Sequence, residues 1–273
     1  MKHGIVVIIL TLVINTPLMA FETNPEIERG HYLVRDMLSC THCHGEDLGG
    51  AEGVQVAGIT SNAPNITDDE DTGIGGWTDK QVSQSIRNGI RPDGSYIGAP
   101  MPVNTYKNIS DDDLKAIVAY LRSLPLVNRT IKPSEMTVKS RKQHGPVIDK
   151  VPAPDGQDPV AKGKYVYELI YCSLCHNAFQ NNELYVGVGG NPFKQPDGSV
   201  VISSNLTPSG NLPGYSDEEL KKVIKYGVRP DGSKLRPPMP TEIYHNVADT
   251  DLNDLIDFLR SLPAGEAPSP AAN

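Results

Sequence analysis

Apolar residues recur at helical spacing in six stretches of the chain, and polar or turn-forming residues fill the ground between them. The spacing predicts helices over Glu26 to Leu38 and Val160 to Tyr171, each running straight into a cysteine-bearing segment. Ser110-Asp-Asp-Asp113 reads as an N-cap with an acidic first turn, opening a helix from Leu114 to Leu124 that Pro125 stops. Thr250-Asp-Leu-Asn253 opens the matching helix, stopped by Pro263. Trp77-Thr-Asp-Lys-Gln-Val82 and Tyr215-Ser-Asp-Glu-Glu-Leu220 each start a middle helix that ends near Gly89 or Gly227. No stretch alternates convincingly at period two. The predicted class is all-α with long loops.

One apolar run is of another kind. Ile5 to Ile14 follows Lys2 and precedes Pro17-Leu-Met-Ala20, which matches an export leader cut after Ala20. It is short for a membrane span. The expectation is an exported, periplasmic protein, peripheral to a membrane at most.

The helices fall into two matched sets. Asn88-Gly-Ile-Arg-Pro-Asp-Gly-Ser95 recurs as Tyr226-Gly-Val-Arg-Pro-Asp-Gly-Ser233, an offset of 138. Pro100-Met-Pro102 and Pro238-Met-Pro240 share that offset, as do Tyr120-Leu-Arg-Ser-Leu-Pro125 and Phe258-Leu-Arg-Ser-Leu-Pro263. Asn65-Ile-Thr67 returns as Asn205-Leu-Thr207. A duplicated unit explains all four pairs. The expected organisation is a leader over 1–20, one unit over 21–128, a linker over 129–158, a second unit over 159–265 and a tail over 266–273.

Composition narrows the class further. The chain has 273 residues with 38% hydrophobic and 21% charged, which excludes a polytopic membrane protein, a coiled coil and a disordered chain. Gly 25 and Pro 23 demand many turns, and 38% apolar is thin for two cores, as if something besides side chains fills the interior. A net charge of −8 argues against nucleic-acid binding.

All four cysteines sit in Cys40-Thr-His-Cys43-His44 and Cys172-Ser-Leu-Cys175-His176. C-x-x-C-H is the spacing for covalent c-type haem: two thiols reach the vinyl groups on one porphyrin edge, and the adjacent histidine turns beneath the plane to bind iron. Zinc would want histidines several residues away, and a redox dithiol needs no histidine after both pairs. Two haem c groups would also account for the thin apolar composition. For the sixth iron ligands, Met101 and Met239 occupy matched Pro-Met-Pro loops, where proline on both sides restricts the backbone around a weak thioether ligand. Arg91 and Arg229 precede those loops; pairing with haem propionates and simple turn-flanking charge are both open. Trp77 and Tyr215 either donate to a propionate or pack. Gly30 and Gly163 read as close helix crossings. His42 reads as facing the haem edge or solvent, His31, His144 and His245 as surface or loop histidines, and Asp68-Asp-Glu-Asp71 as a solvated acidic loop.

Asn65-Ile-Thr67, Thr72-Gly-Ile-Gly-Gly-Trp77, Arg91-Pro-Asp-Gly94 and Pro100-Met-Pro102 resemble the cytochrome c subunits of membrane-bound alcohol and sugar-acid dehydrogenases. The resemblance spans essentially the whole mature chain. It implies two tandem class I cytochrome c domains, each wrapped around one haem ligated by His44 and Met101 or by His176 and Met239. It also implies a redox partner: a quinoprotein or flavoprotein dehydrogenase as donor, with an oxidase, small cytochrome or quinone pool downstream. Two features depart from that pattern. Those subunits usually carry three haems, and the second unit lacks the Gly-Ile-Gly-Gly-Trp string. The expected function is electron transfer without substrate chemistry. The alternative is a peroxidase-like dihaem enzyme, which needs one displaceable axial ligand.

Overall fold

The computed structural model describes residues 24–56, 59–133 and 142–268. The leader expected over 1–20 and the last residues of the tail lie outside them.

Helix α1, Pro25–Tyr32, begins where the Asn24 side chain accepts from the Glu26 amide and proline occupies the first turn. A π-helical turn, Leu33–Met37, continues it and delivers the chain to α2, Thr41–His44. Strands β1, Ala51–Val56, and β2, Ile59–Ala63, pair antiparallel. Helix α3, Asp79–Asn88, opens on a capping box between Thr78 and Gln81 and closes on Gly89 at φ 66°. A short helix α4, Val103–Tyr106, leads to α5, Asp111–Ser123, capped by the Ser110 hydroxyl.

The second half repeats this order. Helix α6, Pro159–Leu169, is capped by Asp158, and α7 spans Cys172–His176. Two hairpins follow: β3, Ala178–Gln180, with β4, Glu183–Tyr185, and β5, Pro192–Lys194, with β6, Val200–Ile202. Helix α8, Asp217–Tyr226, has its own capping box, Ser216 with Glu219, and ends on Gly227 in the left-handed region. A single 3-10 turn, Thr241–Ile243, stands where α4 stood, and α9, Asp249–Ser261, is last.

Two details correct the sequence reading. The all-α expectation misses three two-stranded hairpins, and helix accounts for only 38% of the described residues. Those strands are three to six residues long and exposed on much of both faces, and β1 is bulged between Ala51 and Val54, so no period-two signal survives. Helix α9 starts at Asp249 rather than Thr250, and its N-cap Ala248 has no capping side chain.

The terminal helices of each half cross at a glycine. A Cβ on Gly30 would stand 2.0 Å from the Ala116 carbonyl oxygen of α5, and one on Gly163 would stand 1.8 Å from the Asp254 carbonyl oxygen of α9. The two crossings share one continuous core, from Leu33, Met37 and Leu121 through Tyr167 and Leu169 to Leu255 and Leu259. The segment between the halves is a draped strap where it is described. The Asn88 side chain pairs with both the amide and the carbonyl of Ile148, at 2.9 and 3.0 Å, and Asp111 and Val151 bond each other. Among the described residues no helix is long and apolar enough to cross a membrane.

Candidate haem sites

Each cysteine motif is a single helical turn. The His44 amide bonds the Cys40 carbonyl at 2.9 Å, so Cys40 and Cys43 lie three apart on one face with His44 directly below the first. Cys172, Cys175 and His176 repeat the arrangement in α7. The turn is entered through a residue in the left-handed region, Ser39 at φ 48° and Tyr171 at φ 67°. None of the four cysteines is joined in a disulfide. Burial pushes the Cys40 and Cys172 thiols up to about 12, which is the reverse of the lowered thiol of a redox dithiol pair.

Both histidines are buried, and both are held by a backbone carbonyl. His44 Nδ1 lies 2.8 Å from the Pro64 oxygen, and His176 Nδ1 lies 2.8 Å from the Ser204 oxygen. That contact fixes the proton on Nδ1 and leaves the Nε2 lone pair for a metal. Burial lowers the affinity of each ring for a second proton, which keeps it in the ligating form, while the carbonyl pulls the other way. The carbonyls are themselves held. Asn65 Oδ1 accepts from the amide and hydroxyl of Thr67 at 2.9 and 2.8 Å, and Asn65 Nδ2 donates to the Val127 carbonyl just beyond α5. Asn205, Thr207 and Gly265 repeat the lock in the second half. The sequence reading recorded the repeated Asn-x-Thr but gave it no role. It anchors the peptide that orients the histidine.

This donor set fits a covalent haem. Two desolvated thiols on one turn flank an imidazole whose tautomer is fixed, and no group of three or more His, Cys, Asp or Glu side chains converges as a metal cluster among the described residues.

The other expected residues are placed as follows. Met101 and Met239 are half-buried against the core, each after a cis prolyl bond, Ala99–Pro100 or Pro237–Pro238. Arg91 folds back on its own turn, donating to the Tyr96 carbonyl at 2.7 Å, and Arg229 does the same to the Lys234 carbonyl at 3.0 Å. Turn bracing is therefore the role their contacts show. Trp77 and Tyr215 pack against the core, and their backbone carbonyls accept from Arg122 and Arg260. Those arginines also pair with Asp79 and Asp217, tying the last helix of each half to the first turn of its middle helix. His42 is exposed, as expected, and His144 meets the Ile97 carbonyl at 2.8 Å. Asp69 accepts from the amide and hydroxyl of Thr72, so the acidic loop is internally tied.

Residues 27–125 match the cytochrome c family. Over its length the chain is 28% identical to the fructose dehydrogenase cytochrome subunit of Gluconobacter japonicus, covering 91% of this chain and 55% of that protein. It is 27% identical to the gluconate 2-dehydrogenase cytochrome c subunit of Pantoea cypripedii, covering 88% and 60%. A diheme cytochrome c-type protein of Cereibacter sphaeroides is 26% identical, with 83% of each chain covered. The chain thus spans little more than half the length of the dehydrogenase cytochrome subunits it matches. The match to the cytochrome c family covers the first half of the chain, and the relatives named above are cytochrome c proteins by name.

Proposed function

From a cytochrome c domain in residues 27–125, we propose that the chain is a periplasmic dihaem electron carrier built of two tandem class I cytochrome c domains, over 21–128 and 159–265. The observation that carries the reading is the duplicated histidine setting. Two C-x-x-C-H turns each present an imidazole whose Nδ1 lies 2.8 Å from a backbone carbonyl, at positions 64 and 204.

Haem iron, alternating between its ferrous and ferric states, supplies the one-electron chemistry. The chain's residues do the rest. Cys40 and Cys43 hold one group and Cys172 and Cys175 the other, through thioether bonds. His44 and His176 would each bind an iron, with Met101 and Met239 as the second protein ligands, a donor set that would favour electron transfer over substrate binding. Arg91 and Arg229 stiffen the turns leading into the methionine loops, and a second role toward the haem carboxylates belongs to this proposal. A dehydrogenase that passes electrons on is the proposed donor, in keeping with the fructose and gluconate dehydrogenase subunits among the relatives. An oxidase or small cytochrome is the proposed acceptor.

The mass of the purified chain tests this reading. The expected holoprotein carries two covalent haems. Cys40→Ser with Cys43→Ser should remove one, and Cys172→Ser with Cys175→Ser the other. Loss of both from either double substitution, or a single haem in the parent, would overturn the assignment.

A further inference from the structure

The two haem-attachment turns are bonded to each other across the halves. Ser39 Oγ donates to the Ile243 carbonyl at 3.1 Å, and the Tyr171 hydroxyl donates to the Leu38 carbonyl at 3.3 Å. Each of these residues immediately precedes the first cysteine of its motif, and each has a left-handed backbone. That conformation is strained for a bulky residue such as tyrosine and persists only where its surroundings hold it.

The repeat is broken at one point. In the second half Tyr244 donates at 2.7 Å to the Ile170 carbonyl, two residues before Cys172. Its counterpart Tyr106 makes no matching bond to Leu38, whose carbonyl accepts from the Tyr171 hydroxyl. Tyr106 instead bonds Tyr171, hydroxyl to hydroxyl, at 2.7 Å, with ring centroids 6.3 Å apart. Tyr106 is buried beside the Cys40 thiol, and Tyr171 is joined through one peptide bond to Cys172. One unbroken sequence of contacts therefore runs from Cys40 through two hydroxyls to Cys172. Covalent and hydrogen-bonded atoms transmit electronic coupling better than gaps do.

We propose that the Tyr106–Tyr171 pair is the bridge across which an electron passes between the two haem centres. The inference rests on the two-haem reading above. One electron leaves the ferrous iron of one centre and reduces the ferric iron of the other; no bond forms or breaks, and neither tyrosine is oxidised or deprotonated. Burial holds both hydroxyls protonated, with pKa values raised above the ordinary tyrosine range. The broken symmetry is what the role needs, since a second copy of the Tyr244 contact would satisfy Leu38 within its own half and leave the attachment turns unconnected.

The test is the rate of electron redistribution between the haems after pulsed one-electron reduction of the purified dihaem protein. It is run on the parent and on Tyr106→Phe, Tyr171→Phe and Tyr32→Phe, with the haem content, both midpoint potentials and the thermal midpoint measured on each. Tyr32→Phe removes a hydroxyl that also crosses the halves but bonds Asp251 and the Ala248 amide rather than either attachment turn, and so reports loosening alone. The expected result is redistribution about tenfold slower in Tyr106→Phe and Tyr171→Phe, with potentials unmoved and Tyr32→Phe at the parent rate. Parent rates in the first two variants would overturn the bridge. So would an equal slowing in Tyr32→Phe, which would mean that the interface as a whole sets the rate. A haem content of one in the parent would defeat the two-haem reading itself, and is told apart because it appears before any rate is measured.

Discussion

The Tyr32 hydroxyl donates at 2.5 Å to the Asp251 carboxylate, 219 residues away, and accepts from the Ala248 amide at 3.0 Å. Its counterpart in the other half closes the relationship: Tyr165 donates to Asp113 at 2.8 Å and accepts from the Ser110 amide at 3.0 Å. Each half lends the tyrosine of its first helix to the N-terminus of the other half's last helix. This is the self-complementary geometry of a twofold dimer, written within one chain.

The exchange supplies a partner to the N-cap amide of each last helix, Ala248 for α9 and Ser110 for α5, from across the interface. Tyr32→Phe leaves the Ala248 amide without its partner, and Tyr165→Phe takes the same partner from the Ser110 amide. Each should cost about 1–3 kcal/mol. Thermal unfolding measures it. The double variant should unfold in two resolved transitions where the parent shows one.

The glycine crossings give a sharper test. Gly30→Ala and Gly163→Ala place a methyl against a backbone carbonyl that cannot rotate away. Each should destabilise its own half by about 3 kcal/mol or more, at the upper end of overpacking costs. Gly214→Ala, at a position with nothing within 4 Å of the added carbon, should leave the thermal midpoint unchanged.

Alkaline pH should separate the halves. Burial raises Tyr32 and Tyr165 above the ordinary tyrosine value, as do the neighbouring Asp251 and Asp113 charges, and burial likewise raises Tyr106 and Tyr171. A raised folded value means that the unfolded chain loses its protons first. Stability from these groups is therefore complete below about pH 10, the unfolded tyrosine value, and falls as the pH rises above it. An ultraviolet titration of tyrosine ionisation should show these four titrating only together with loss of structure. Smooth, reversible ionisation in the folded protein would contradict the packing described here.

Asn88→Ala should release the strap. Its side chain makes a two-way bond to Ile148 and is itself buried, so its loss leaves the strap's amide and carbonyl without partners. Limited proteolysis should then cut near Ile148 well before either half is degraded.

The candidate chemistry is read from covalent spacing. Four cysteines in two C-x-x-C-H motifs, and the matched offset of the Pro-Met-Pro loops, need no tertiary information. Helix ends were legible where a local signal exists: Ser110 caps α5, and Gly89 and Gly227 end α3 and α8, as their positions imply. The start of α9 was missed because its N-cap, Ala248, carries no capping side chain to mark it. The hairpins were missed because short, exposed strands bury no alternate face. Asn65 and Asn205 left a repeat signal whose meaning appears only once the Pro64 and Ser204 carbonyls are seen against the histidines.

An optical spectrum of the purified holoprotein, oxidised and then reduced, with and without carbon monoxide, tests the central claim most directly. Two His/Met haems should give the weak far-red iron–thioether band at full intensity for both centres, and carbon monoxide should barely perturb the reduced form. A high-spin haem, or one that binds carbon monoxide readily, would mean that Met101 or Met239 is not a ligand, and would put an open iron site where the account has an electron carrier.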